Sequence, residues 1–563
     1  MAGTLSPHRS RWLWLVSLAL AIGGGVWLRL DQLGSQLLLD DEWHAVYRVV
    51  HDAPASVFLD FGHSDSSIPL TLLYLFESHA FGLSEIGMRW PLVAAGIATL
   101  VLFPGYAARH VGRAEALLFA ALLAISPLLY FFSRTARPYA LTLLLVYAAH
   151  VAFRHYAAGT RRGRWALALY AACATLAAWL HPVAVPFVVS PFVPPAWTLL
   201  RSASSATRKA ALLRLAAPAL AAGVPMTALL LPPLLAHPES LALKSGIDLP
   251  RVDTLIGVWY AWFGTGSTVA LLICGAFAVA GAPVVWRRLP EAGSMLAGVA
   301  LCVLMIVATR PAWIHNPLTF GRYLLPILPL LLLSTACGAA RVGQTVSAAI
   351  AARRAIPAVA GACGAGVAAI PLLALAATTP LSPVLVHPND NSLHAVYQFD
   401  FRRDHDPIVT FMDGIPLSPW WASLADRPAG SITVAVAPFP TESVGSDAPR
   451  WQRLSRQRVL SGFLTLLCAS ARANEVPDDA RFRFRNAVHL GNDAALAAHG
   501  IDFVVWQKPY RYVAHGIDAQ VGVDVAPCAT ALTARFGLPV YEDEWLTVYR
   551  PRDRGRGAGD VGR

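Results

Sequence analysis

Residues 9–44 read RSRWLWLVSLALAIGGGVWLRLDQLGSQLLLDDEWH, and this stretch decides the fold. From Trp12 to Leu30 the residues are almost all apolar, over about the 20 positions that a helix needs to cross a bilayer core. The run is too long for a signal-peptide core and no small-residue cleavage site follows it, so it reads as a retained anchor. Arg9 and Arg11 precede it, which places its start in the cytoplasm. Beyond it, residues 31–67 hold Asp31, Asp40, Asp41, Glu42, Asp52, Asp60 and Asp65 against a single Lys or Arg, Arg48. A loop so poor in basic residues belongs outside the cell.

The remainder of the chain repeats this alternation. Of 563 residues 56% are hydrophobic and 14% charged, against about a quarter charged in a soluble domain. The net charge of +11 does not describe a nucleic-acid-binding face, because the arginines fall in short clusters between long apolar runs. Residues 68–81 are too short and interrupted to span, and suit a helix at the outer interface. Apolar runs at 89–108, 114–132, 138–153, 165–180, 183–200, 215–235, 268–286, 294–309, 323–340 and 356–377 follow, separated on alternate sides by Arg clusters. With the anchor they make about eleven spans, with a cytoplasmic N-terminus and an external C-terminus. The fold class expected is therefore a polytopic α-helical membrane protein with a C-terminal soluble α/β domain. Residues 1–378 form the membrane part, with 31–88 as its first external loop. In residues 379–550 short β-type runs alternate with polar helical stretches, and the Arg/Gly-rich tail 551–563 reads as disordered. Cys468 and Cys528 lie in the polar C-terminal part, where an oxidising compartment would let them pair.

Leu39-Asp40-Asp41-Glu42-Trp43-His44 is the sharpest chemical feature. Adjacent carboxylates beside a bilayer repel one another and lie close to a low-dielectric medium, and both effects favour the proton exchange a general base needs. The same run also suits the first turn of a helix, where acidic side chains meet the positive end of the dipole. Four further polar groups map to the same face: Ser133 to Tyr139 with Arg134 and Arg137, the His181-Pro182 turn, residues 237–251 with Lys244, and residues 310–323 with Trp313, His315, Asn316, Arg322 and Tyr323. An outward-facing arginine works against the positive-inside bias. Phosphate is a natural partner, because guanidinium grips it bidentately; snorkelling toward water is the alternative.

Asp41-Glu42, Arg89-Trp90-Pro91, Arg134 to Tyr139, and Arg322-Tyr323-Leu324-Leu325-Pro326 follow one another in an order that resembles the GT-C superfamily of membrane glycosyltransferases. The likeness is greatest to the branch of protein O-mannosyltransferases and lipid A aminoarabinose transferases, and it covers roughly residues 10–340. The resemblance implies an enzyme that takes sugar from a polyprenyl-phosphate donor in the membrane lipid and passes it, with inversion, to an extracytoplasmic acceptor (a protein, lipid or glycan). It implies Asp41 as base, with Asp40 as the alternative in register and Glu42 beside them. Arg137 and Arg322 are implied to stabilise the leaving phosphate, with Arg134, Lys244, His315, Tyr139 and Tyr323 as further donor-binding candidates. It further implies a bacterial inner membrane location with the C-terminal domain in the periplasm. Relatives often carry paired prolines where this chain has His63-Ser64-Asp65-Ser66-Ser67-Ile68-Pro69; His63 and Asp65 have metal-ligand chemistry, so a divalent metal stays an option without a metal being assigned. Trp420 and Trp421 suit stacking on a sugar acceptor or burial in a core. Two other readings use similar lipids: a glycan polymerase or ligase with a lipid-diphosphate donor, and a lipid-sugar flippase. The flippase would show inverted repeats and mid-membrane charges, which this sequence does not present.

Overall fold

A computed structural model of the chain describes residues 7–38, 40–62, 67–159, 163–201, 205–239, 245–353, 356–378, 418–438, 448–468, 476–508, 510–514, 517–521 and 526–551. The chain divides into two compact units. Met1–Asp31, Pro54–Leu72 and Arg89–Leu385 make the first; Gln32–Ala53, Leu73–Met88 and Val386–Arg563 make the second.

The first unit is a helical bundle. Among the described residues nine helices are long and apolar enough to cross a membrane, or ten if Arg113–Ile125 and Pro127–Arg134 count as one span bent by 56°. The bend falls at Ser126-Pro127, where proline lacks the N–H that would continue the helix and forces the preceding residue into an extended conformation. Every expected run is helical, and the one not among these nine or ten is helix Tyr139–Ala157. It carries Thr142, His150, Arg154 and His155, and much of its length is buried. Buried polar groups in a membrane bundle persist where protein satisfies them. The His150 ring nitrogens lie 2.9 Å from Ser294 Oγ and 2.9 Å from the Phe187 carbonyl oxygen. Arg154 pairs with Glu291 at 2.8 Å, and Glu291 also accepts the Tyr106 hydroxyl at 2.7 Å.

Contacts define two ends of this bundle. At one end the Trp14 indole donates to the Arg113 carbonyl, Arg288 to the Val111 carbonyl and Tyr156 to the Arg214 carbonyl, beside the Arg154–Glu291 pair. These are the segments that the arginine clusters group together. The other end collects Leu28, Asp31, Arg134, Tyr139, His181 and Tyr323. Helices Thr268–Arg288 and Leu328–Ala352 cross so closely that a Cβ on Gly281 would run into the Ser334 carbonyl, and one on Gly338 into the Phe277 carbonyl.

The second unit holds a six-stranded sheet. Its strands are β1 (Thr433–Ala437), β2 (Arg458–Phe463), β3 (Ala487–His489), β4 (Phe503–Gln507), β7 (Tyr541–Glu542) and β8 (Leu546–Tyr549); β5 (Tyr510–Ala514) and β6 (Ile517–Val521) form a separate hairpin. The order is β3-β2-β1-β4-β8-β7, parallel from β3 to β4 and antiparallel at β8 and β7. Alternate side chains supply two buried faces. Ala435, Leu460, Val504 and Tyr549 pack with Leu496, Cys528, Leu532 and Phe536 of flanking helices. Val434, Val436, Val505 and Val548 pack with Trp420, Trp421, Trp451 and, from the loop after the first helix, Leu37. Cys468 is joined to Cys528. Residues 379–417 and the tail 552–563 lie outside the described residues.

Candidate active site

The acidic run opens an amphipathic helix, Asp40–His51. Glu42, Trp43, Ala45, Val46 and Val49 are buried, at the 3–4-residue spacing of a single helical face. Asp40 and Asp41 are its first two residues, as the helix-start reading expects; their side chains lie outside the described part. Trp43 packs edge-on against Phe463 at 5.9 Å and tilted against Phe484 at 5.5 Å. Phe463 in turn meets His489 at 5.2 Å. Burial holds the His489 imidazole below its ordinary pKa against the pull of Asp478 and Asp479. Farther along the helix Arg48 binds Asp52 at 2.8 Å.

The loop before this helix is anchored to the sheet. Asn486 Nδ2 donates to the Gly34 carbonyl at 3.1 Å and the Gln36 carbonyl at 3.4 Å. The backbone N–H groups of Arg485 and Asn486 donate to the Glu85 carboxylate at 3.0 and 2.8 Å, and Leu83 bridges Phe482 in parallel pairing. Neither Glu85 nor Asn486 stands out in the sequence. Glu85 directly precedes an apolar span and could have been flagged as an acid at a helix start; Asn486 carries no local signal.

In the bundle, three chain segments separated in sequence bring four polar aromatic or basic side chains together. The Arg322 guanidinium lies 5.8 Å from the Tyr139 ring centroid and 5.6 Å from that of Tyr323. The His181 ring is 5.2 Å from Tyr139 and 5.7 Å from Tyr323. Tyr139 begins a helix after Pro138, His181 sits where Pro182 ends one, and Arg322-Tyr323 closes the short helix Pro317–Tyr323, capped by Asn316. Proline and the caps thus leave polar side chains at helix ends. Tyr139, His181 and Tyr323 are buried, while Arg322 is half-exposed. Two phenols, an imidazole and a guanidinium at one place are donors suited to an anion.

The other basic candidates sort differently. Arg137 is buried in the turn just before Tyr139, its backbone N–H bonded to the Thr135 carbonyl at 2.7 Å. Arg134 is occupied structurally: its Nη1 donates to the Leu28 carbonyl at 2.8 Å and the Asp31 carbonyl at 2.5 Å, and its guanidinium lies over Tyr130 at 5.0 Å. It thereby serves the carbonyls at the end of the first helix. His315 pairs with Asp248 at 3.0 Å, in a loop–loop contact where Thr254 also donates to the His315 carbonyl at 2.6 Å. Lys244, His63 and Asp65 lie outside the described residues, and among those described no cluster of three His, Cys, Asp or Glu side chains suits a metal ion. Trp420 and Trp421 are core residues, Trp421 stacked on Trp451 at 5.2 Å. A groove of about 720 Å³ along Ala219, Gly223, Val224 and Leu231 is almost wholly apolar and holds no ionisable group.

No family model matches the chain, and no curated protein matches it. Similar solved structures include the oligosaccharyltransferase AglB from Archaeoglobus fulgidus in complex with an inhibitory peptide and a dolichol-phosphate, at 10% identity and TM-score 0.43, over 92% of this chain and 75% of that one. ArnT from Cupriavidus metallidurans bound to undecaprenyl phosphate is 12% identical with TM-score 0.41, over 97% of this chain and 99% of that one. The arabinofuranosyltransferase AftD from Mycobacteria is 17% identical with TM-score 0.40, over 90% of this chain and 35% of that one. These likenesses are weak, and the functional reading rests on the chain's own residues.

Proposed function

We propose that the chain is a multi-pass membrane glycosyltransferase of the GT-C type, which takes its sugar from a polyprenyl-phosphate donor and gives it to an extracytoplasmic acceptor. The observation that carries this is the convergence of Arg322, Tyr139, His181 and Tyr323 at one end of an apolar bundle, where a lipid phosphate has both a hydrocarbon neighbour and hydrogen-bond donors. Asp41 takes the proton from the acceptor's hydroxyl or amine, and that nucleophile attacks the anomeric carbon opposite the phosphate, so configuration inverts. The C–O bond to phosphate breaks, and Arg322, with Arg137, receives the developing charge. The cysteine pair in the sheet unit agrees with an external, oxidising location for that unit.

The test is release of free polyprenyl phosphate from a panel of radiolabelled polyprenyl-phosphate sugars by protein in nanodiscs. Asp41→Asn is nearly isosteric and abolishes transfer while the protein still folds. Arg322→Ala lowers turnover by about 10²–10³, the cost of removing a charge-stabilising group. Unchanged turnover in Asp41→Asn removes that residue from the mechanism, and lipid movement without cleavage makes the chain a transporter.

A further inference from the structure

We propose that Asn486 is a positioning residue for the Asp40-Asp41-Glu42 run, acting through the loop that leads into helix Asp40–His51; its catalytic consequence rests on the function proposed above. The acidic run is held on both sides by the sheet unit. Before it, Leu37 is buried among Trp421, Val434 and Val548, and the carbonyls of Gly34 and Gln36 accept from Asn486 Nδ2. After it, Trp43 is clasped by Phe463 and Phe484. Asn486 is itself fixed at three points: its N–H on Glu85, its carbonyl accepting from the Ser461 N–H at 2.9 Å, and its side chain on the loop. It is buried, at the entry to β3. The same side chain therefore reads the position of the sheet and transmits it to the loop, which leaves the start of the acid helix little freedom. A helix start otherwise frays readily, because its first N–H groups have no partner within the helix.

The experiment uses full-length protein in nanodiscs and follows amide exchange by peptide. Asn486→Ala removes both donors to the loop, and Phe484→Ala removes one wall of the Trp43 clasp. Each is expected to raise exchange in residues 34–51 about tenfold, the size of one lost buried hydrogen-bond or packing interaction, with β1, β2 and β4 unchanged. Phe484→Tyr keeps the ring and restores protection. In donor-cleavage kinetics the same two alanine variants lower kcat with KM for the lipid donor unchanged, and Phe484→Tyr recovers kcat; a general loss of folded protein would not split the two constants. Exchange unchanged in 34–51, or raised equally across the whole sheet, overturns the positioning role. A wild-type protein that cleaves no lipid-linked sugar refutes the proposed function instead, and the exchange measurement still decides this one.

Discussion

The Cys468–Cys528 bond is a direct handle on both the fold and the compartment of the sheet unit. It connects the stretch after β2 to helix Ala526–Phe536, and the two cysteines are 60 residues apart. Closing a loop of that length removes about 14 cal/mol/K of entropy from the unfolded chain, or about 4 kcal/mol at 25 °C. Cys528 is also buried in the core with Leu532, Phe536 and Leu464, so a serine there places a hydroxyl among apolar neighbours, whereas Cys468→Ser tests the cross-link with less disturbance. Cys468→Ser is expected to lower the stability of the sheet unit by up to that amount, read as the urea midpoint for proteolysis within residues 418–551. A parallel assay counts thiols in denatured protein taken directly from membranes. The chain has seven cysteines, and Cys173, Cys274, Cys302, Cys337 and Cys363 are free. Maleimide should therefore add five times without reductant and seven times after reduction. Seven additions without reductant would refute the pairing and remove the oxidising face from the localisation argument. A Cys468→Ser midpoint equal to wild type would refute the stabilisation.

Two further outcomes follow from the packing. The Asp543 carboxylate accepts from Ser418 Oγ at 2.5 Å, Tyr541 at 3.1 Å and the backbone N–H groups of Trp545 and Leu546 at 2.8 and 2.9 Å. Burial pushes its pKa up, but these bonds outweigh it and hold the group below its ordinary 3.8. Stability from this site is therefore complete above pH 3.8 and is lost as pH falls through the depressed value; Asp543→Ala costs on the order of 1–2 kcal/mol at neutral pH and flattens the acid limb of a pH–stability curve, and an unaltered acid limb would count against it. Gly338→Leu drives a side chain into the Phe277 carbonyl on the crossing helix and should cost about 3 kcal/mol or more, measured as a fall in detergent melting temperature. An unshifted melt would mean that the two helices do not cross so closely.

Local sequence determined most of the bundle. About 20 apolar residues between polar ends cross a membrane as a helix because no other structure satisfies the backbone in hydrocarbon, so spans and their grouping by arginine clusters were legible from Trp12 onward. The helix start at Asp40 was legible as one of two readings of the acidic run, because acidic side chains suit a first helical turn. Tertiary structure decided what side chains do when their partners lie far along the chain. Arg134 and Arg322 look alike in sequence; one serves the end of the first helix and the other joins Tyr139, His181 and Tyr323. Trp420 and Trp421, equally suited to a sugar face, are core because Trp451 and Leu37 pack beside them. Asn486 meets Gly34 across more than 450 positions of chain. Periodicity records only near neighbours, whereas hydrogen bonds and ring contacts are set by which distant segments the fold brings within a few ångströms.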